Sequence, residues 1–172
     1  MSIIEYGDKK PKIDASVFLA PGSFVIGEVT IAEGTGIWNG AVVRGDDDSV
    51  EIGARATVLE NCIVEAPVGS PVKIGDGAIV SHGAIVHGAT IGDEVLVGIG
   101  AIVLDGATVG KGAIIGAGAV VPPRTVIPPN TLALGIPAKP AREVRDGERE
   151  FVFKERQRLT SKVEKYKKIF AE

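Results

Sequence analysis

Aliphatic residues recur at every sixth position along most of the chain. The first run is Ile13, Leu19, Val25, Ile31, Ile37 and Val43. Two short runs follow, Ile52, Val58, Val64 and Ile74, Val80, Val86, and the last runs from Ile91 through Val97, Val103, Val109, Ile115 and Val121 to Ile127. Four positions after most of these stands a small residue, as at Ala41, Cys62, Ala84, Ala101 and Ala119. Six is a multiple of the strand period of 2 and not of the helical 3.6, so each hexad predicts a short strand and a tight turn. Three hexads make one triangular coil, with large and small residues both pointing inward. Coils then stack at strand spacing, about 4.8 Å, and the repeats predict about six coils in a prism roughly 30 Å tall.

The rhythm breaks three times. The step from Val43 to Ile52 is three residues too long, that from Val64 to Ile74 four too long, and that from Val86 to Ile91 one too short. The repeat ends near Leu134-Gly135-Ile136-Pro137. From Asp146 the chain turns charged and poor in glycine. Asp146 is expected to cap a helix over 147–170. Val152, Leu159, Val163, Tyr166 and Phe170 form its apolar stripe. The expected division is a repeat unit over 1–140 and a linker with helix over 141–172.

Composition supports a β prism. Glycine contributes 23 of 172 residues, hydrophobic residues 45% and aromatics only 5%, so the core must be built from Val, Ile and Ala. A net charge of −3 gives no footprint for nucleic acid. The single cysteine, Cys62, excludes an internal disulfide framework and fits a reducing compartment. It falls in a small inward slot, where a packed thiol is expected. No apolar run is long enough to span a membrane, and the first residues lack a secretion signal's apolar stretch. A soluble cytoplasmic protein is expected.

The chain has two histidines, His82 and His87. Taking every third hexad as one face puts Val43, Val64 and Val86 on the same face of successive coils. Arg44, Glu65 and His87 then stack in one position, with Glu65 and His87 about 5 Å apart at the backbone. Both insertions leave this face and flank that position. His82 lies on the preceding face, above Glu60 and Asn39. A metal held by Glu65 and His87 would therefore need His82 from a neighbouring chain in a three-fold assembly. Two histidines and a glutamate form a known zinc set, and with iron a facial triad. The competing reading is an Arg44–Glu65 ion pair with no metal.

Several stretches resemble the gamma-class carbonic anhydrases and their hexapeptide-repeat relatives: Val43-Arg44-Gly45-Asp46, TVLENCIVE (57–65), IGDGAIVSHGAIVHGATIG (74–92), AIIGAGAVVPP (113–123) and LGIPAKPARE (134–143). The resemblance implies a mainly β, left-handed parallel β-helix with a C-terminal α-helix, assembled as a homotrimer with metal at subunit interfaces. It implies reversible hydration of CO2 to bicarbonate by metal-bound hydroxide, zinc being the expected ion and iron or cobalt the alternatives. Carried over residue by residue, the metal ligands are Glu65, His82 and His87, with Arg44, Asp46 and Glu60 as catalytic residues. Two positions depart from the family pattern: Glu65 stands where the family has a histidine, and Leu59 where it has the glutamine that assists the bound water. A carboxylate ligand makes bound water less acidic, and leucine cannot hydrogen-bond it, so weakened activity is implied. Neither position is an inward slot, so the fold is expected to tolerate Leu59→Gln and Glu65→His.

Two other functions remain open. One is a CoA-dependent acyltransferase on the same repeat fold, with Arg124, Lys139 and Arg142 meeting the phosphates. The other is a trimeric family member without catalysis, which the identities of Leu59 and Glu65 favour.

Overall fold

The computed structural model describes residues 1–170, so 171 and 172, the end of the expected 141–172 segment, lie outside the described residues. The chain winds as a left-handed parallel β-helix of about seven turns followed by one helix. Three faces are visible in the strand order. One stacks Phe24–Ile26, Val42–Arg44, Ile63–Glu65, Ile85–His87, Ile102–Val103 and Val120–Val121. A second stacks Val50–Ile52, Val72–Ile74, Thr90–Ile91, Thr108–Val109 and Val126–Ile127. The third runs from Phe18–Leu19 through Ile79–Val80 to Thr131–Ala133.

The expected six turns undercount because the hexads begin at Ile13. Ser2–Ile4 already pairs with Phe24–Ile26 and adds a strand before the repeat starts. The irregular steps are absorbed between coils. Ile37 pairs with Leu19, 18 residues earlier, but Val58 pairs with Ile37, 21 earlier, and Val80 with Val58, 22 earlier. Val97 pairs with Val80 at 17 and Ile115 with Val97 at 18. The inward slots stay aligned because each insertion or deletion falls at a corner between faces, where the extra or missing residue does not disturb the pairing on either side.

The periodic aliphatic residues and the small residues fill one continuous core, including Val43, Val64, Val86, Ala41, Ala84 and Cys62. The Cys62 thiol packs against Val80 and Ser81 carbonyls, and burial pushes it up to about 12.

The first insertion differs from expectation. It does not leave the face as a loop: Val42–Ile52 is one strand that rounds the corner and pairs on both faces. The extra residues are taken up where the pairing with Phe24–Ile31 shifts after Gly27. Gly27 has φ +76°, and a Cβ there would collide with the Gly45 carbonyl; a Cβ on Gly45 would lie 2.5 Å from the Glu28 carbonyl oxygen. The two glycines let the strands touch where the register slips. The second insertion does project, as a turn with Val68 at its exposed tip.

The helix spans Asp146–Phe170. Asp146 is its first residue and not its cap. Arg145 holds the cap position, and its N–H donates to Glu148 Oε2 at 2.8 Å, the half of a capping box in which the third residue reaches back. Two Arg142 guanidinium bonds of 2.8 and 2.7 Å fix that carboxylate in place. The apolar stripe buries Val152, Leu159 and Val163 against Phe18, Trp38, Leu59 and Ile79. Tyr166 packs edge-on to Trp38 at 5.1 Å, so it serves packing, as its place on the stripe predicts.

Candidate functional site

Arg44, Glu65 and His87 sit opposite one another on three successive strands, as the hexad phase predicts. The inward neighbours Val43, Val64 and Val86 are fully buried and clamp the column. Parallel pairing therefore delivers one guanidinium, one carboxylate and one imidazole to a single line.

Arg44 Nη2 donates to Glu65 Oε1, and Arg44 Nε lies 3.1 Å from Asp46 Oδ1. Within one protomer, then, the competing ion pair is formed. Asp46 is held near by its backbone, because Lys9 Nζ donates to the carbonyls of Asp46 and Asp47 at 2.6 and 2.9 Å. His87 turns its Nδ1 to Asp105 Oδ1, 3.0 Å away. His82 turns its Nδ1 to Glu60 Oε2 at 2.7 Å. A Gly83 N–H to Glu60 carbonyl bond of 2.9 Å keeps those two coils in step.

The two histidines do not meet. His82 follows Val80 on one face, whereas His87 ends a strand on the next, with the turn at Gly83 between them. Among the described residues, no three His, Cys, Asp or Glu side chains gather closely enough to hold an ion. The chemistry of the donor set, two imidazoles and a carboxylate, suits zinc or iron. Its placement suits an ion only if a second protomer completes it. Glu65 retains Oε2 for such a role, since Arg44 engages Oε1.

Five buried side-chain polar atoms lack an aligned hydrogen-bond partner among the described residues: Arg44 Nε, Asp46 Oδ1, Glu60 Oε2, His87 Nδ1 and Trp38 Nε1. Four belong to the candidate site. The contacts of 2.7–3.1 Å around them are close enough for charges to interact, but they lie off the donor direction. Each of the four thus faces an opposite partner by charge and not through an aligned hydrogen bond.

Leu59 does not face this column. It is 5% exposed and packs beneath the helix with Trp38, Ile79, Val152 and Leu159. The expectation that glutamine would be tolerated there is corrected: the position lies outside the prism core but inside a second one. Asp105 was missed by sequence reasoning. Spacing alone does not single it out: the coil after His87 is 17 residues long, as Val86 pairs with Val103, so Asp105 lies one position past the residue in register with His87. Arg142, offered as a phosphate contact, is engaged by Glu148.

A family model, bacterial transferase hexapeptide (six repeats), matches residues 88–123. The chain is similar to gamma carbonic anhydrase-like 1, mitochondrial, of Arabidopsis thaliana, 36% identical over 45% of this chain and 31% of the relative. It is similar to a carbonic anhydrase of Geobacillus kaustophilus, 41% identical over 45% of this chain and 43% of the relative. The chain thus spans about a third of the plant relatives it matches and under half of the bacterial one. Among solved structures, a Bacillus cereus protein provisionally named an acetyltransferase superposes with a TM-score of 0.96, at 39% identity over 98% of both chains. Repeat-fold acyltransferases at about 20% identity, such as one from Moraxella catarrhalis, share the fold alone. Among the described residues, no helix is long and apolar enough to cross a membrane.

Proposed function

Because the chain belongs to the gamma carbonic anhydrase-like family of hexapeptide-repeat proteins, we propose that it works as a homotrimer binding a divalent metal between protomers, with CO2 and bicarbonate as substrates. Glu65 and His87 of one protomer and His82 of the next are the ligands. The observation that carries this reading is the strand register that brings Glu65 and His87 side by side in one column with Arg44.

A divalent ion, when bound, supplies the Lewis acidity that makes water a nucleophile at neutral pH. The chain's own residues do the rest. Glu65 and His87 are brought into line by strand register, so their geometry is prepaid by the core. Arg44 divides its charge between Glu65 and Asp46, holding both carboxylates in place and offering a cation to an anionic product. Asp46 lies beside Arg44 at the column, and Glu60 lies beside His82, the ligand supplied by the next protomer.

Zinc is the expected ion, since nitrogen and oxygen donors in a three-ligand set leave a position open for substrate. Glu65 adds negative charge that a third imidazole would not, which weakens the ion's pull on water. Catalysis is therefore expected to be weak near neutral pH.

The test is metal content and mass measured together. Purified protein should show a trimer mass by light scattering and about one ion per protomer by elemental analysis, and His87→Ala should lose the ion. A trimer that neither contains nor takes up zinc, iron or cobalt would leave the Arg44–Glu65 pair as the end state and favour a non-catalytic family member. A second reading, acyl transfer from CoA, has the Bacillus cereus neighbour's name in its favour. Against it stand the Arg142–Glu148 pair and two histidines already facing carboxylates. CoA binding by calorimetry separates the two.

A further inference from the structure

We infer that Glu60 and Asp105 are positioning residues: each carboxylate takes the Nδ1–H of one histidine and leaves Nε2 as the lone-pair nitrogen for a ligand. The inference rests on the site reading above and extends it to residues outside the ligand set.

The chain has only two histidines, and both present the same nitrogen to a carboxylate. The Nδ1 of His82 meets Glu60 at 2.7 Å, and the Nδ1 of His87 meets Asp105 at 3.0 Å. The carboxylates arrive from opposite directions, Glu60 from the coil before and Asp105 from the coil after. Backbone bonds enforce both meetings. Gly83 N–H donates to the Glu60 carbonyl at 2.9 Å, and Gly106 N–H donates to the Gly88 carbonyl at 2.6 Å. The turn carrying Asp105 is thus pinned beside His87.

An ionised carboxylate only accepts hydrogen bonds, so a neutral imidazole facing it gains only with its proton on that side. Which ring nitrogen is free for a metal is set by the bond the other makes. The contacts are short but misaligned, leaving Glu60 Oε2 and His87 Nδ1 unsatisfied. Rotation about χ2 corrects this cheaply, because that torsion is broad in histidine. Glu60, a catalytic residue by the resemblance, lies against the Nδ1 edge of the His82 ring.

The test uses the assembled protein, stripped of metal by a chelator and labelled with 15N-histidine. Long-range 15N–1H spectra at about pH 8.5, two units above an ordinary histidine pKa, report each tautomer directly. Wild type should show Nδ1–H on both rings. Glu60→Ala should release His82 alone, and Asp105→Ala His87 alone, toward the Nε2–H form. Asp105→Asn, whose amide oxygen still accepts, should keep the wild-type tautomer. Zinc affinity by competition titration should fall about 10–100-fold for each alanine variant and recover largely in Asp105→Asn. Nε2–H tautomers in wild type, or tautomers indifferent to both alanine variants, overturn the inference. So does unchanged zinc affinity in a variant whose tautomer has switched. If wild type takes up no zinc while the tautomers respond as stated, the positioning pairs stand and the metal reading fails alone. Thermal melts by circular dichroism establish that the variants fold; both carboxylates sit at the surface of the prism, outside its core.

Discussion

Glutamine is the residue that the resemblance implies at position 59, and the structure predicts that Leu59→Gln destabilises the fold. Leu59 is 5% exposed and lies in the cluster that docks the helix, among Phe18, Trp38, Ile79, Val152 and Leu159. Losing a buried leucine side chain costs about 1.5–3 kcal/mol in transfer free energy. A glutamine amide in the same space finds no partner among those apolar side chains and adds about 1–3 kcal/mol. The expected loss is about 2.5–6 kcal/mol. For a chain of this size each kcal/mol moves Tm by roughly 2–4 °C, so melting should fall by on the order of 10 °C. The assay is urea denaturation at fixed protomer concentration, since assembly makes apparent stability depend on it. The midpoint should drop with the slope unchanged. Leu59→Met, which conserves volume, should cost less than about 1.5 kcal/mol. If Leu59→Gln costs no more than Leu59→Met, the side chain escapes into solvent or finds a partner, and the packing role assigned to Leu59 is wrong.

Other expectations follow from the same contacts. Glu65→His alone should raise CO2 hydration near pH 7 by at least about tenfold, roughly 1.4 kcal/mol of barrier, in stopped-flow assays on zinc-loaded trimer; a metal-filled variant with no gain would show that Glu65 is not what limits turnover. The Cys62 thiol, pushed up to about 12 by burial, should resist iodoacetamide at pH 8 in the folded protein and react once urea unfolds it; rapid modification of folded protein would contradict its core placement. The Glu148 carboxyl is drawn down to about 2, mainly by Arg142 and then by the Arg145 N–H. A depressed carboxyl contributes stability that is complete above its ordinary value of 4.5 and is lost as pH falls toward 2. Thermal melts of Glu148→Gln should therefore lose part of the wild-type dependence on pH between those limits; superimposable profiles would remove Glu148 from the helix start.

The sequence alone determined the prism, its core and its coil phase, because a period of six repeated over most of the chain leaves the backbone little choice. Every inward slot named from that period is one side of a strand, and strand geometry is local. The same phase put Arg44, Glu65 and His87 in one line, since parallel pairing at one residue per coil converts sequence spacing directly into a column. The helix stripe was legible for the same reason, as a 3.6 period. Tertiary structure decided what the period cannot encode. Whether the extra residues after Val43 leave as a loop or bend as a strand depends on Gly27 and Gly45 approaching across coils. The helix cap passed from Asp146 to Arg145 because Arg142, on another element, holds Glu148. Leu59 reads as an outward residue in its hexad and becomes buried only when the helix folds back over it. The carboxylates at His82 and His87 were hidden longest. Glu60 is in register with His82, but Asp105 is one position past register with His87; a side-chain contact across a corner depends on where two turns point, and only the folded chain sets that.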